Sequence, residues 1–304
     1  MKVAVALCTF NGERYLRAQL TSIAEQTRLP DELVICDDGS TDSTCSIFET
    51  FAASSSFPTR VYLHPQNKGV VANFVGALEL CGGDLIAFCD QDDIWMPDKL
   101  ARACVAIERT DDPLRTLLFS RLEYVDASLS RIGMSQLPKI IGFNNAIVEN
   151  IATGCSVMVG SEIRDLMLRG TPDDMLMHDW WAYLVASAFG SVIYDPTPSV
   201  RYRQHAANVT GWERRPQKIW NRTRGLVRRL LTTDRGIDAL RQAERFVQRY
   251  PDLGPDKANL VRELVQLREV GLLTRARYAL HPRVARNDAI EHWGLKVMLL
   301  MGWH

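Results

Sequence analysis

Three clusters in this 304-residue sequence have side chains and spacing suited to chemistry. Asp90-Gln91-Asp92-Asp93 puts three carboxylates in four residues, and like charges so close repel unless water or a cation neutralises them. Apolar residues flank it, Leu85 to Cys89 before and Ile94-Trp95 after, so the cluster emerges from a core instead of lying in a solvated acidic loop. A hard divalent cation, held by one or two carboxylates and by substrate phosphates, suits such a group. The second cluster is Asp37-Asp38-Gly39-Ser40-Thr41-Asp42. A turn and helix cap account for Gly39, Ser40 and Thr41 but not for two adjacent carboxylates at a strand end. A carboxylate there can accept the N–H of a pyrimidine base or bind a ribose hydroxyl. In the third, His178-Asp179-Trp180-Trp181, Asp179 opens a helix, where the macrodipole alone favours a carboxylate. Trp180 and Trp181 suit a sugar-stacking face or a core equally.

The elements that must position these clusters follow from periodicity. Val3–Cys8, Leu33–Cys36, Arg60–Leu63 and Leu85–Cys89 are short apolar runs that read as strands. Between them Gly12 to Gln26 is helical, with Leu16, Leu20 and Ile23 on one face. Ser40 or Thr41 can cap the next helix, whose inner face is Cys45, Phe48 and Phe51. Val70 to Leu80 is helical and ends at Gly82-Gly83, and Pro97 suits the first turn of a helix running to about Glu108. Four βα units in series predict an α/β fold with a doubly wound, mostly parallel sheet. In such sheets ligands bind beyond the carboxyl ends of the strands, and here all four following loops begin with polar groups. The second part is mixed. Leu117–Phe119, Leu122–Val125, Val157–Val159, Ser191–Tyr194 and Val200–Tyr202 read as strands, and Asp179 to Ala188 as a helix. Beyond Trp212 the pattern is helical almost throughout, with Trp220, Val227 and Leu230 on one face and Leu260, Leu264 and Leu267 on another. The expected domains are residues 1–211 and a helical, basic extension at 212–304.

Cys8-Thr9-Phe10-Asn11-Gly12, the Asp37–Asp42 run and Asp90-Gln91-Asp92-Asp93-Ile94-Trp95, in that order, resemble the family 2 glycosyltransferases, which have the GT-A fold. The Cys-Asp-Gln-Asp-Asp-Ile-Trp form is most similar to bacterial rhamnosyltransferase-type members. The resemblance spans about residues 1–211. It implies an inverting transfer of a sugar from a dTDP- or UDP-linked donor to a hydroxyl of a glycan or lipid-linked glycan, in cell-surface polysaccharide biosynthesis. It implies donor contacts at Thr9, Asn11, Asp38, Lys68, Asn73, Asp90 and Gln91. It also implies Mg²⁺ or Mn²⁺ at Asp92, with His205 joining the metal or diphosphate, and Arg203 as a further diphosphate contact. Asp179 becomes the general base that deprotonates the acceptor. Thr153-Gly154-Cys155-Ser156 resembles the family's acceptor-side segment, which would place Gly154, Cys155, Trp180 and Trp181 near the acceptor. A turn into a strand explains Thr153–Ser156 nearly as well.

Bulk properties agree with a globular enzyme: 46% of residues are apolar, 24% are charged, and the formal net charge is zero. The charge is unevenly spread. Residues 212–304 hold 19 Lys and Arg against 10 Asp and Glu, whereas residues 1–211 hold 17 against 26. Arg222, Arg224, Arg228 and Arg229 accompany the apolar face at 220–230, and Trp293–Trp303 is strongly apolar. These helices therefore suit either a cap or peripheral attachment to an anionic membrane, while Trp293–Trp303 is about half the roughly 20 residues that span a bilayer. The run Val3–Cys8 lacks a following cleavage site and reads as a strand, not a secretory signal. Seven cysteines without a C-x-x-C pair point to buried thiols in a reducing compartment, hence a cytoplasmic protein, possible membrane contact being at the inner face. No nucleic-acid partner is implied, and oligomeric state is open. Two other classes use related carboxylates. A nucleotidyltransferase needs a Gly-rich phosphate loop where this chain has Thr9 to Arg14, and an α/β signalling module is shorter and needs no second acidic loop.

Overall fold

The computed structural model describes residues 1–205 and 234–302 of the chain. Its first half is β1 (Val3–Thr9), α1 (Leu16–Ala24), β2 (Glu32–Asp37), α2 (Thr44–Ser54), β3 (Thr59–Leu63), α3 (Val70–Leu80) and β4 (Leu85–Asp90). The four strands are parallel, in the order β3-β2-β1-β4. All seven residues of β1 are buried, as expected of a parallel strand covered on both faces. The chain winds from β1 outward to β3 and then returns to the other side of β1, so the switch point lies between β1 and β4. Register brings the chemistry together there: Thr9 is opposite Asp37, and Cys8 is opposite Asp90.

β5 (Ile94–Trp95), α4 (Lys99–Glu108), β6 (Thr116–Val125), β7 (Arg131–Met134), α5 (Phe143–Ala146), β8 (Met158–Gly160), α6 (Ser161–Met167), α7 (His178–Phe189) and β9 (Ser191–Arg203) follow. The sheet is mixed beyond β4. β8 runs antiparallel to both β4 and β6, β9 is parallel to β6, and β5 pairs antiparallel with β9. Where the sequence suggests two pairs of short strands, β6 and β9 are each continuous, with the register shifting between Ser120 and Leu122. Asp195 to Ser199 bulges out at that shift; Pro196 and Pro198 have no N–H to give to a ladder.

Two helix starts differ from expectation. α1 begins at Leu16, after a turn in which the Gly12 carbonyl accepts from the N–H groups of Tyr15 and Leu16. Neither Ser40 nor Thr41 caps α2, which begins at Thr44, because the Ser40 hydroxyl is spent on Asp37. The face of α1 is as expected: Leu16, Leu20 and Ile23 are buried in the main core with Leu7, Leu33, Ile35 and Trp95. All seven cysteines are free thiols and six are buried.

The described residues form two compact units. Residues 1–137, 152–172 and 177–205 make up the sheet unit. The other contains residues 138–151, 173–176 and 234–302, with α8 (Asp234–Arg249), α9 (Pro255–Gln266), α10 (Leu272–Leu280) and α11 (Ala289–Met301). The two short segments join the helices through specific bonds. Asn287 Oδ1 accepts from the Lys139 and Ile140 N–H groups at 2.6 and 2.8 Å, Asn145 Nδ2 donates to the Ala285 carbonyl at 2.9 Å, and Arg249 pairs with Asp174 at 2.8 Å. Leu260, Leu264 and Leu267 are buried, as their spacing predicts. The basic face at Trp220 to Leu230 lies outside the described residues. No helix among the described residues is long and apolar enough to cross a membrane.

Candidate active site

The strand-end loops are tied to one another by their own polar side chains. Thr9 Oγ1 donates to Asp37 Oδ1 at 2.6 Å, and Asp37 also accepts from the Ser40 N–H at 2.7 Å and hydroxyl at 2.6 Å. Asn11, at φ 48°, sits in the left-handed region that Asn tolerates better than most residues. Its N–H donates to Ser40 Oγ at 2.8 Å and its Oδ1 accepts from the Thr41 N–H at 2.9 Å. Asp38 is buried and reaches the third loop, its two oxygens accepting from the Lys68 N–H at 2.7 Å and the Gly69 N–H at 2.9 Å. The Lys68 side chain is exposed. Asn73 is buried in α3, where Nδ2 donates to the Cys36 carbonyl at 3.0 Å and Oδ1 meets no partner. Gln91 spends both ends of its amide on the Phe10 backbone, accepting from N–H and donating to C=O, each at 2.9 Å. Gly12 is obligatory for this clamp, because a Cβ there would overlap the Gln91 amide.

The acidic loop is crowded. Burial, then the charges of Asp92 and Asp179, push the Asp90 carboxyl up to about 8. Asp93 is fully buried, and burial together with Asp92 and Asp90 holds its carboxyl well above the ordinary range. Asp93 Oδ1 accepts from the Arg203 N–H at 3.0 Å; Oδ2 meets no N–H or O–H donor, and the Cys155 thiol lies beside it. Ligand atoms of Asp90, Asp93 and Cys155 all lie within 4.8 Å of one another. Asp92 is half-buried, with Oδ2 at 2.8 Å from His205 Nε2, and its carbonyl accepts from Arg203 Nε at 2.9 Å. Tyr15 supports both side chains: the His205 ring stacks on it at 5.1 Å and the Arg203 guanidinium lies 4.5 Å over it. Arg203 is buried and also donates to the Ala127 carbonyl, so its guanidinium faces the loop backbone.

Asp179 stands in the first turn of α7. Its Oδ2 accepts from the Gly154 N–H at 2.9 Å and its Oδ1 from the Trp180 N–H at 2.7 Å. His178, beside it, is buried, stacks on Phe74 at 3.7 Å and, among the described residues, has no hydrogen-bond partner on either ring nitrogen. Burial alone lowers its pKa to about 3, so it is neutral at physiological pH.

A family model, described as glycosyl transferase family 2, matches residues 4–121, from β1 through the acidic loop into β6. Over these residues the chain belongs to glycosyl transferase family 2. Relatives extend further along it. An uncharacterized protein of Mycobacterium tuberculosis strain H37Rv is 28% identical over 213 residues, 68% of this chain and 60% of the relative, so the match stops well short of that relative's full length. A dTDP-rhamnosyl transferase, RfbG of Shigella flexneri, is 29% identical over 224 residues, covering 67% of this chain and 73% of its own. Among solved structures, residues 1–349 of Staphylococcus aureus TarS in complex with UDP-GlcNAc align with a TM-score of 0.58 at 18% identity, covering 99% and 92% of the two chains. The mannosyltransferase PcManGT from Pyrobaculum calidifontis, in complex with GDP-Man and Mn²⁺, aligns at 0.52 and 18% identity, covering 99% and 85%. These likenesses show the GT-A fold.

The structure gathers Asp90, Asp92, Asp93, Asp179, Gly154, Cys155 and His205 into one centre. Trp181 is a correction. It is fully buried, its ring N–H on the Met167 carbonyl at 3.2 Å, so it is a core residue and cannot face an acceptor; Trp180 is partly exposed. Cys155 is also fully buried and lies beneath the carboxylates. Sequence reasoning passed over Tyr15 and Lys99. Lys99 is buried, its Nζ donates to the Cys155 carbonyl at 3.0 Å, and burial lowers its pKa to about 8. The one available signal was a lysine in the first turn of a helix, where the dipole disfavours it.

His178 makes a testable contribution to stability. Its folded pKa, about 3, lies below the unfolded value of 6.5, so the unfolded chain takes up the proton first as pH falls. The contribution is complete above pH 6.5 and is lost as pH drops toward 3, amounting to about 2 kcal/mol by pH 5. Denaturant titrations between pH 7.5 and 5 are expected to show this decline, and His178→Phe should flatten it. An equal decline in both proteins would show that other groups cause it.

Proposed function

We propose that this chain is an inverting glycosyltransferase that moves a sugar from a dTDP- or UDP-linked donor to an acceptor hydroxyl. The observation that carries this reading is the meeting of the Asp90–Asp93 carboxylates with Asp179 at the switch point of a family 2 domain. Rhamnose is the proposed sugar, and the acceptor a glycan or lipid-linked glycan of cell-surface polysaccharide synthesis; the likeness to a dTDP-rhamnosyl transferase supports this. Residues 1–211 would form the catalytic domain, with Thr9, Asn11, Asp38, Lys68 and Asn73 on the donor side.

The residues fit a hard divalent cation. The centre offers carboxylate oxygens, burial and then their mutual repulsion raise Asp90, and among the described residues one buried oxygen of Asp93 meets no N–H or O–H donor. Asp92 with Asp90 would hold Mg²⁺ or Mn²⁺, which when bound neutralises charge on the departing nucleoside diphosphate. His205 orients the Asp92 carboxylate, and the Arg203 guanidinium fixes the backbone that carries it. Asp179, oriented by the Gly154 and Trp180 N–H groups, takes the proton from the acceptor hydroxyl. The hydroxyl oxygen bonds to the anomeric carbon as the bond to the diphosphate breaks on the opposite face. One displacement inverts the configuration, and no covalent nucleophile is needed.

Peripheral membrane attachment belongs to the same reading. On α10 and α11, Leu272, Leu273, Leu280, Trp293 and Met301 are exposed, Leu273 to 88% and Trp293 to 68%. Lys296 lies 5.7 Å from the Trp293 ring, the pairing of aromatic body and basic head that suits a lipid interface.

Asp92→Asn is expected to abolish Mn²⁺-dependent binding of UDP or dTDP in calorimetry while the protein stays folded; unchanged metal-dependent affinity would remove Asp92 from the metal site. Asp179→Asn should lower turnover by roughly 10²–10⁴ with donor affinity nearly intact. NMR of the product should show inverted anomeric configuration, and retention would refute single displacement. Co-sedimentation with anionic liposomes at low salt should be lost in a Leu273→Asp, Trp293→Asp variant; a full chain that ignores such liposomes ends the membrane reading.

A further inference from the structure

Lys99 is the first residue of α4, and only 3% of its surface is exposed. Two effects oppose an ammonium there. The positive end of the helix repels it, and burial strips its water. A neutral apolar side chain would fill the same space without either cost, so the groups around Nζ must compensate. Nζ donates to the Cys155 carbonyl at 3.0 Å, lies 4.7 Å over the Trp95 ring, and is attracted by the buried Asp93. The Cys155 carbonyl belongs to a single helical turn, Gly154–Ser156. The same turn presents the Gly154 N–H to Asp179 Oδ2 at 2.9 Å. Adjacent residues of one turn thus face a buried cation on one side and the carboxylate of α7 on the other. The turn is seated tightly, since a Cβ on Gly154 would come within 3.0 Å of His178 Nε2.

We propose that Lys99 is a positioning residue: its ammonium holds the turn Gly154–Ser156 by the Cys155 carbonyl, and that turn aims the Asp179 carboxylate through the Gly154 N–H. His205 and Arg203 engage the Asp92 side of the acidic loop. The proposal rests on the transferase reading only in what Asp179 does; the link from Lys99 to Asp179 does not depend on it.

The test uses the full-length protein in two experiments. The first needs no substrate: hydrogen–deuterium exchange of a peptide covering residues 153–157 in wild type, Lys99→Met and Lys99→Gln. Both variants lose the bond to Cys155, Gln because it is one bond too short, and exchange there should rise on the order of tenfold while core strands such as β1 stay protected. Should Lys99→Met fail to fold, the polar Lys99→Gln carries the same comparison. Unchanged exchange at 153–157 overturns the proposal whatever the enzyme's reaction proves to be. The second experiment is a double-mutant cycle. Lys99→Met should lower kcat about 10–100-fold with the donor KM within about twofold, yet cost little more in the Asp179→Asn background, because it acts through that carboxylate. Equal losses in both backgrounds overturn it. A wild-type chain that transfers no sugar refutes the functional reading instead, and the exchange result still decides the role of Lys99.

Discussion

Asp90, Asp92, Asp93 and Asp179 meet where the central parallel strands end, and the fold must hold them there against their own repulsion. Oxygens of Asp90 and Asp93 lie within 4.8 Å of each other. At an effective dielectric of about 20, two full charges at that distance would repel by roughly 3 kcal/mol, a large share of a domain's net stability. The protein answers in three ways. Burial and the neighbouring carboxylates raise Asp90 and Asp93, which lowers the charge they must carry. The protein sets His205 against Asp92, and it gives Asp179 two backbone N–H groups. Such an arrangement costs stability, and perturbed carboxylates gathered in this way are found at functional sites more often than in scaffolds.

The neighbouring polar residues do quieter work. Asp37, Asp38 and Gln91 each brace the protein itself. Asp37 shapes its own loop, Asp38 carries the loop after β3, and Gln91 clamps Phe10. Charge-assisted bonds of this kind hold irregular backbone that has no ladder of its own. The rim of the site is therefore rigid because its loops are cross-braced by the side chains that a motif search picks out first.

Much of this was legible in the sequence, for identifiable reasons. Strands β1, β2 and β4 are unbroken apolar runs with a polar residue at the end, so both the strand and the direction of its loop could be read. Asp179 could be placed at a helix start because aromatic and apolar residues follow it. Trp181 could not be assigned, since helical spacing gives a face but does not say whether the face meets a core or a sugar. Lys99 and Tyr15 escaped because their meaning lies in contacts across 56 and 190 residues of chain. Ser40 misled for a similar reason: a serine before a helix reads as a cap, and only the fold shows that Asp37 has taken its hydroxyl.

The order of these partners along the chain also bears on how the protein is made. The segment that matches the family model ends at residue 121, and it contains Asp90, Asp92 and Asp93. Their compensating groups come later: Gly154 and Cys155 on the turn before β8, Asp179 on α7, Arg203 and His205 at the end of β9. A ribosome that has released only the first half has delivered a nearly complete parallel sheet with its acidic loop uncompensated, obliged to stay hydrated. β8 then enters between β4 and β6, and β9 arrives last, bringing Arg203 and then His205, the two side chains that lean on Tyr15. The acidic loop is thus among the first parts synthesised and the last to be compensated, so its repulsion is relieved only once the chain is nearly whole.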